Sequence, residues 1–291
     1  MNKRDFLKIF GVSVLAGSAG SLINKKEVSE TAPEDKETAL ERITRTGKIR
    51  CAYASYNPML IIDPNTGQKS GIFFDLINEI GKRVGLDVDW SEEVGYGNIN
   101  QGFVTGRYEI FGGGLWPSGN RARNTIFSEA LFYDPISVFV RANDTRFDGD
   151  LKKLNNPKYK VTYTDADATQ HMAGALFPMA KPIVTTSLQG IAEEMQNVVS
   201  GKADATFRDL ITVEEYAKHN PNTLKNISPD KPVFMYPLTI GFNEGEYGLK
   251  TLFDTVIFEM KDDGTIANTI QKYMNERSHL FFYEKIEYKE F

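Results

Sequence analysis

From about residue 39 onward, apolar runs of strand length alternate with longer stretches whose apolar residues recur every three or four positions, the pattern of an α/β fold. KIRCAYASY (48–56) predicts a strand that ends in a polar loop containing Pro58. In GIFFDLINEIGKRVGL (71–86), Phe73, Leu76, Ile77, Ile80 and Val84 form one helical stripe; Asp75 lies near the positive N-terminal end and Gly85 stops the run. VDWSEEV (88–94) predicts the next strand and NINQGFVTG (98–106) a short helix. YEIFGGGL (108–115) predicts a third strand, whose glycines let the backbone leave the sheet in unusual conformations. After VFVRAND the pattern restarts: strand KVTYT (160–164), helix HMAGALF (171–177), strand PIVTT (182–186), helix SLQGIAEEMQNVVSG (187–201), strand ADATFRD (203–209) and helix ITVEEYAKH (211–219). Ser187 is the expected N-cap of the helix that buries Leu188, Ile191, Met195 and Val198. VFMYPLTIGFN (233–243) is a further strand, followed by two amphipathic helices broken at Gly264, the first burying Leu252, Phe253, Val256, Ile257 and Met260.

A chain that builds one α/β lobe, crosses to a second and returns through a strand has two crossings, a hinge able to close on a ligand. The expected divisions are lobe 1 over 39–140, lobe 2 over 141–232, and a return to lobe 1 with C-terminal helices and tail over 233–291. The tail SHLFFYEKIEYKEF packs across a lobe or meets a partner; the pattern leaves both open. Ahead of the lobes, MNKRDFLKIFGVSVLAGSAG (1–20) joins a basic start to a short apolar run and small residues, the layout of an export signal. The run falls short of the ~20 apolar residues that span a bilayer. NKRDFLK is similar to the twin-arginine export box with Lys3 in place of the first arginine; general secretion is the alternative route. Residues 21–38 are polar and acidic, a linker composition.

At 291 residues, 41% hydrophobic and 25% charged, the chain has the make-up of a soluble two-lobed protein. A net charge of −5 without a basic stripe excludes nucleic acid as the expected partner. Cys51 is the one cysteine, and His171, His219 and His279 lack metal-ligand spacing, so neither metal nor cofactor is expected.

Four segments carry a family resemblance. GIFFDLINEIGKRVGLDVDW, TGRYEIFGGGLWPSGNRARNTIFSEALFYDP, SGKADATFRD and EMKDDGTIANTIQKYM resemble, in order, the signatures of the polar-amino-acid branch of extracellular solute-binding proteins that feed ABC importers. The resemblance implies a type II periplasmic-binding fold, two lobes with two hinge crossings. It also implies a periplasmic or extracellular monomer with a small-molecule ligand and an inner-membrane ABC permease as partners.

The resemblance further implies that a turn arginine grips a ligand carboxylate. Counting back six residues from Phe127 lands on Arg121 rather than Arg123, and a guanidinium fork suits that anion. Ser118 matches an assisting hydroxyl, Gly114 closes the glycine run that leads into this turn, and Trp116 replaces a small hydroxyl residue, reshaping the pocket. Tyr53 stands where relatives have an acidic residue. Tyr56 offers a cation–π face or packs at a strand end. Asp209 matches a residue that holds an amino group, or else caps the helix that follows it. The second-lobe loop that supplies backbone N–H groups to the carboxylate corresponds to TDADATQ, giving Asp167, Ala168, Thr169 and Gln170 in an open register. The implied function is capture of a small carboxylate-bearing solute, an amino acid or derivative. The alternatives are a dehydratase-like enzyme using Asp167, Asp209 or Glu109, and a soluble receptor that presents its ligand to a membrane sensor.

Overall fold

The computed structural model describes residues 37–275 apart from 166, 187–190 and 230. The expected export signal, nearly all of the linker, the Ser187 cap with Leu188, and the aromatic tail lie outside the described residues. The chain runs α1 (Ala39–Thr46), β1 (Lys48–Tyr53), a small hairpin of β2 (Ile61–Ile62) and β3 (Lys69–Ser70), α2 (Ile72–Arg83), β4 (Asp87–Glu93), α3 (Ile99–Val104), β5 (Ile110–Leu115), β6 (Thr125–Phe127) and β7 (Phe132–Arg141). It continues through β8 (Lys160–Thr164), α4 (Ala168–Leu176), β9 (Lys181–Thr185), α5 (Ile191–Val199), β10 (Ala205–Asp209), α6 (Leu210–His219), β11 (Leu224–Asn226), β12 (Phe234–Asn243), α7 (Tyr247–Asp262) and α8 (Thr265–Met274).

The strands lie in the order β4-β1-β5-β12-β7-β10-β8-β9. Each end of this path is a parallel α/β unit: β1 is flanked by β4 and β5, and β8 by β9 and β10. The two units are sewn together by two long strands. The first half of β12, Phe234 to Leu238, pairs antiparallel with β7, and its second half pairs with β5 and β6. β7 in turn passes from β12 to β10 at Ile136, which faces both Phe234 and Asp209. These are the two crossings of a two-lobed type II fold.

One apolar core gathers Ile49, Phe73, Ile77, Phe132, Ile240, Phe253 and Ile257; a second gathers Val138, Phe147, Val161, Met172 and Phe207. The stripe read from 71–86 is the buried face of α2, except that Val84 is its half-buried C-cap. The glycine run of β5 serves close packing as much as backbone freedom. A Cβ on Gly112 would lie 2.3 Å from Ile77 Cδ1 and 2.7 Å from Cys51 Sγ, so glycine lets α2 settle onto the sheet. Only Gly114 of the three takes a positive φ, 76°, where the chain leaves the strand. The α4 helix starts three residues earlier than its apolar pattern, because Asp167 accepts from the Thr169 N–H and stops it there.

At the hinge, β7 brings Asp134 opposite Tyr236 of β12. Asp134 is 1% exposed, and its Oδ2 has no hydrogen-bond partner among the described residues. Burial pushes its carboxyl well above the usual carboxylate range and the charge of Asp209 adds to this, while the Trp116 indole N–H and Arg208 pull the other way. Trp116 packs against both cores and its ring lies 5.4 Å from that of Tyr236, so this indole holds the hinge together.

Two outcomes are expected. Phe73→Ala, which removes a fully buried ring set 5.7 Å from Phe132, costs about 3–5 kcal/mol in denaturant unfolding. For Asp134, the folded chain keeps a proton that the unfolded chain releases near its ordinary value of about 4, so stability falls as pH rises above that point. Asp134→Asn lacks this penalty: its Tm exceeds that of the wild type at about pH 7.5 and the gap closes near pH 4. A constant gap across that range contradicts the assignment.

Candidate functional site

In open parallel sheets, the crevice at the carboxyl ends of the strands is where loops leave in opposite directions and ligands fit. Here two such crevices face each other. The loops after β1, β4 and β5 in one lobe and after β8 and β10 in the other border a single cavity of about 730 Å³. Its wall includes Tyr56, Glu93, Tyr96, Gly114, Trp116 and Arg121 from the first lobe, and Thr164, Asp167, Arg208, Asp209 and Thr212 from the second.

Arg121 opens a short 3₁₀ turn after β5 and is largely buried; Arg123 at the end of that turn is exposed. The Arg121 guanidinium donates from Nη1 to the Trp116 carbonyl at 3.3 Å and lies 3.5 Å from Asp167 Oδ2 across the cleft. Ser118 Oγ accepts from the Arg121 backbone N–H at 3.4 Å; it shapes the turn and is not on the cavity wall. Arg208, the second guanidinium on the wall, is bound by the fully buried Glu194, whose carboxylate also accepts from Thr206 at 3.2 Å and from Thr164. Glu194 thus takes the Nε and one Nη2 donor of Arg208 and balances its charge.

Asp209 is the helix cap that its position allowed, and it also borders the cavity. It caps α6, accepting from the Thr212 N–H at 2.7 Å and the Thr212 hydroxyl at 2.6 Å, and it faces the cavity. Because that carboxylate takes the Thr212 proton, the Tyr56 hydroxyl must donate to Thr212 Oγ1, at 2.7 Å. Burial raises the Tyr56 phenol well above its usual range, with the charges of Asp209 and Asp134 adding, so the proton stays in place. This Tyr56–Thr212–Asp209 chain is a second polar contact between the lobes, beside Arg121–Asp167. Tyr96 joins the wall, its hydroxyl donating to the Gly113 carbonyl at 3.1 Å and its ring 5.6 Å from Phe111; burial raises its phenol as well.

Some expected site residues lie elsewhere. Tyr53 does not line the cavity: it is 7% exposed, its ring 6.0 Å from that of Trp90 with the Lys69 amine 5.0 Å from its centroid. Ala168 and Thr169 are fully buried in the first turn of α4 and, with Gln170, do not form the wall. Glu109 is buried away from the cavity, with its carboxylate on Arg42, Arg50 and the Arg50 N–H. Conversely, Glu93, Tyr96, Thr164, Arg208 and Thr212 went unnoticed in the sequence. The strand-end rule applied to every strand would have found Tyr96 just after β4 and Thr164 at the end of β8. An arginine within the expected strand ADATFRD, next to Phe207, was itself a signal that a counter-charge lay nearby. Among the described residues no cluster of three His, Cys, Asp or Glu could hold a metal ion, and no helix is long and apolar enough to cross a membrane.

Known proteins show the same plan. Over 214 residues the chain is 24% identical to a probable amino-acid ABC transporter-binding protein of Haemophilus influenzae, covering 73% of this chain and 78% of that one. It is also 24% identical over 226 residues to the L-cystine-binding protein of Bacillus subtilis, covering 76% and 79%. Among solved structures, a reconstructed ancestral amino acid-binding protein, a precursor of cyclohexadienyl dehydratase, superposes with a TM-score of 0.65 at 24% identity, covering 81% of this chain and 99% of that one. The VFT2 periplasmic domain of Bordetella pertussis BvgS superposes at 0.68 with 18% identity, covering 81% and 97%. The model of the bacterial extracellular solute-binding proteins, family 3, matches residues 49–276, which takes in both parallel units and both hinge strands, and the chain belongs to that family.

Proposed function

We propose that this protein captures a small amino acid or a derivative of one in the cavity between its lobes and delivers it to an ABC permease at the outer face of the inner membrane. The observation that carries this reading is the pairing of opposite chemistry across one cavity, with the Arg121 guanidinium on one wall and the Asp209 carboxylate on the other. A ligand ammonium fits the free lone pairs of Asp209, since each of its oxygens spends one on Thr212. The rings of Tyr56, Tyr96 and Trp116 cover the organic part and favour a cationic head. For a ligand that carries a carboxyl group, Arg121 is the expected partner, because Glu194 already balances the charge of Arg208 and takes its Nε and one Nη2 donor.

Delivery follows from the hinge. A ligand that touches both lobes stabilises their closed arrangement, and only that difference in affinity can signal occupancy to a permease. The amino-acid and L-cystine specificities in the names of the relatives, and the neighbouring ancestral structure bound to arginine, support a ligand of this size and class. The family's extracellular setting agrees with an N-terminal export segment.

Titration calorimetry with a panel of amino acids and amines tests the reading. Asp209→Asn keeps an oxygen for the α6 cap and removes the charge; it is expected to weaken binding about ten-fold or more, with a stability change below about 1 kcal/mol. Arg121→Ala is expected to weaken every carboxylate-bearing ligand that binds the wild type. Unchanged affinity in both variants contradicts the proposed anchors.

A further inference from the structure

Asp167 sets a carboxylate between the Arg121 guanidinium and the first turn of α4. It is the N-cap of α4: Oδ1 accepts from the Thr169 N–H at 3.1 Å and from the Thr169 hydroxyl at 3.2 Å, while Oδ2 lies 3.5 Å from Arg121 Nη1. Two amides of this turn are engaged too, the Asp167 N–H on the Thr164 carbonyl at 3.3 Å and the Gln170 N–H on the Asp167 carbonyl at 3.2 Å. A helix N-terminus and an arginine fork are the two kinds of group that attract an anion into a cavity. Here both already meet a carboxylate that the chain itself supplies.

A dissolved ligand competes poorly with such a group, because a tethered carboxylate has an effective concentration far above that of any free solute. Charge acts in the same direction. The wall carries Glu93, Asp167 and Asp209 against Arg121 and Arg208, and Glu194 lies behind Arg208. A second carboxylate at Arg121 would lie beside Asp167, whereas an ammonium at Asp209 is attracted by that carboxylate and by the faces of the three rings.

Resting on the reading that the ligand is an amino acid or a derivative, we propose that Asp167 is a specificity-determining residue that turns the pocket toward amines lacking the α-carboxylate. The amine is held at Asp209 and the rings of Tyr56, Tyr96 and Trp116. With an amine bound, Arg121 remains on Asp167 and ties the lobes together; a ligand that carries a carboxylate has to displace Asp167 to reach it.

Matched pairs test this: lysine against cadaverine, arginine against agmatine, and tyrosine against tyramine, titrated by calorimetry into the wild type, Asp167→Asn and Asp167→Thr. Both replacements keep an oxygen able to cap α4, so either suffices if the other fails to fold. The wild type is expected to bind the amine of a pair about ten-fold or more tightly than its amino acid, and both variants to narrow or reverse that ratio by about ten-fold through tighter binding of the amino acid. Preference of the wild type for the amino acid, or an unchanged ratio in a folded variant, overturns the role of Asp167 and leaves the amino-acid reading standing. Binding of none of the six compounds by the wild type overturns that broader reading, and this inference with it.

Discussion

The double allegiance of β12 is the constraint on which everything else rests. Its first half is hydrogen-bonded to β7 and its second to β5 and β6, so one strand belongs to both lobes. β7 does the same between β12 and β10. Two such strands side by side restrict the motion between the lobes to bending about one line, because sliding would break both ladders together. They also aim the two parallel units so that their strand ends face one another. The cavity is a consequence of that arrangement, and each group on its wall owes its place to the end of a strand.

The polar chemistry of the hinge and cavity is tightly interlocked. Glu194 binds Arg208, Asp209 caps α6 and receives the Thr212 hydroxyl, and Thr212 receives the Tyr56 hydroxyl from the opposite lobe. Asp134 is buried at the hinge, its carboxyl raised in pKa by burial and by the charge of Asp209. Buried polar groups are costly when half-satisfied and specific when complete. The satisfied ones fix the wall. Arg121 and Asp167, at 3.5 Å and each partly open to the cavity, form the pair that an incoming carboxylate would have to break.

Much of the fold was legible because hydrophobic periodicity is a local signal. The stripe of α2 and the amphipathic α7 and α8 follow directly from spacing, and the restart of the pattern after residue 144 announced a second unit. The hinge was harder to see. β7 carries Asp134 and Pro135 in its first half, and its pairing depends on residues about 100 positions distant in β12 and about 70 positions distant in β10. Site residues divided in the same way. Arg121, Trp116 and Asp209, read from strand-end position and motif spacing, line the cavity. Tyr53 was misplaced because a one-residue step along a strand reverses the face, which sends its ring to Trp90 while Ala54 borders the cavity. The loop TDADATQ could not be resolved from sequence, since whether Asp167 serves a ligand or its own helix is decided by a hydrogen bond to Thr169, two residues on.

The central claim is that two lobes close on one small amine-bearing solute. Native mass spectrometry of the exported protein, purified without denaturation, tests it most directly. The account predicts a single bound organic species with an amine nitrogen and a mass on the order of 10² daltons, the size that a cavity of this volume accommodates. A bound nucleotide, lipid or metal ion in its place would contradict it.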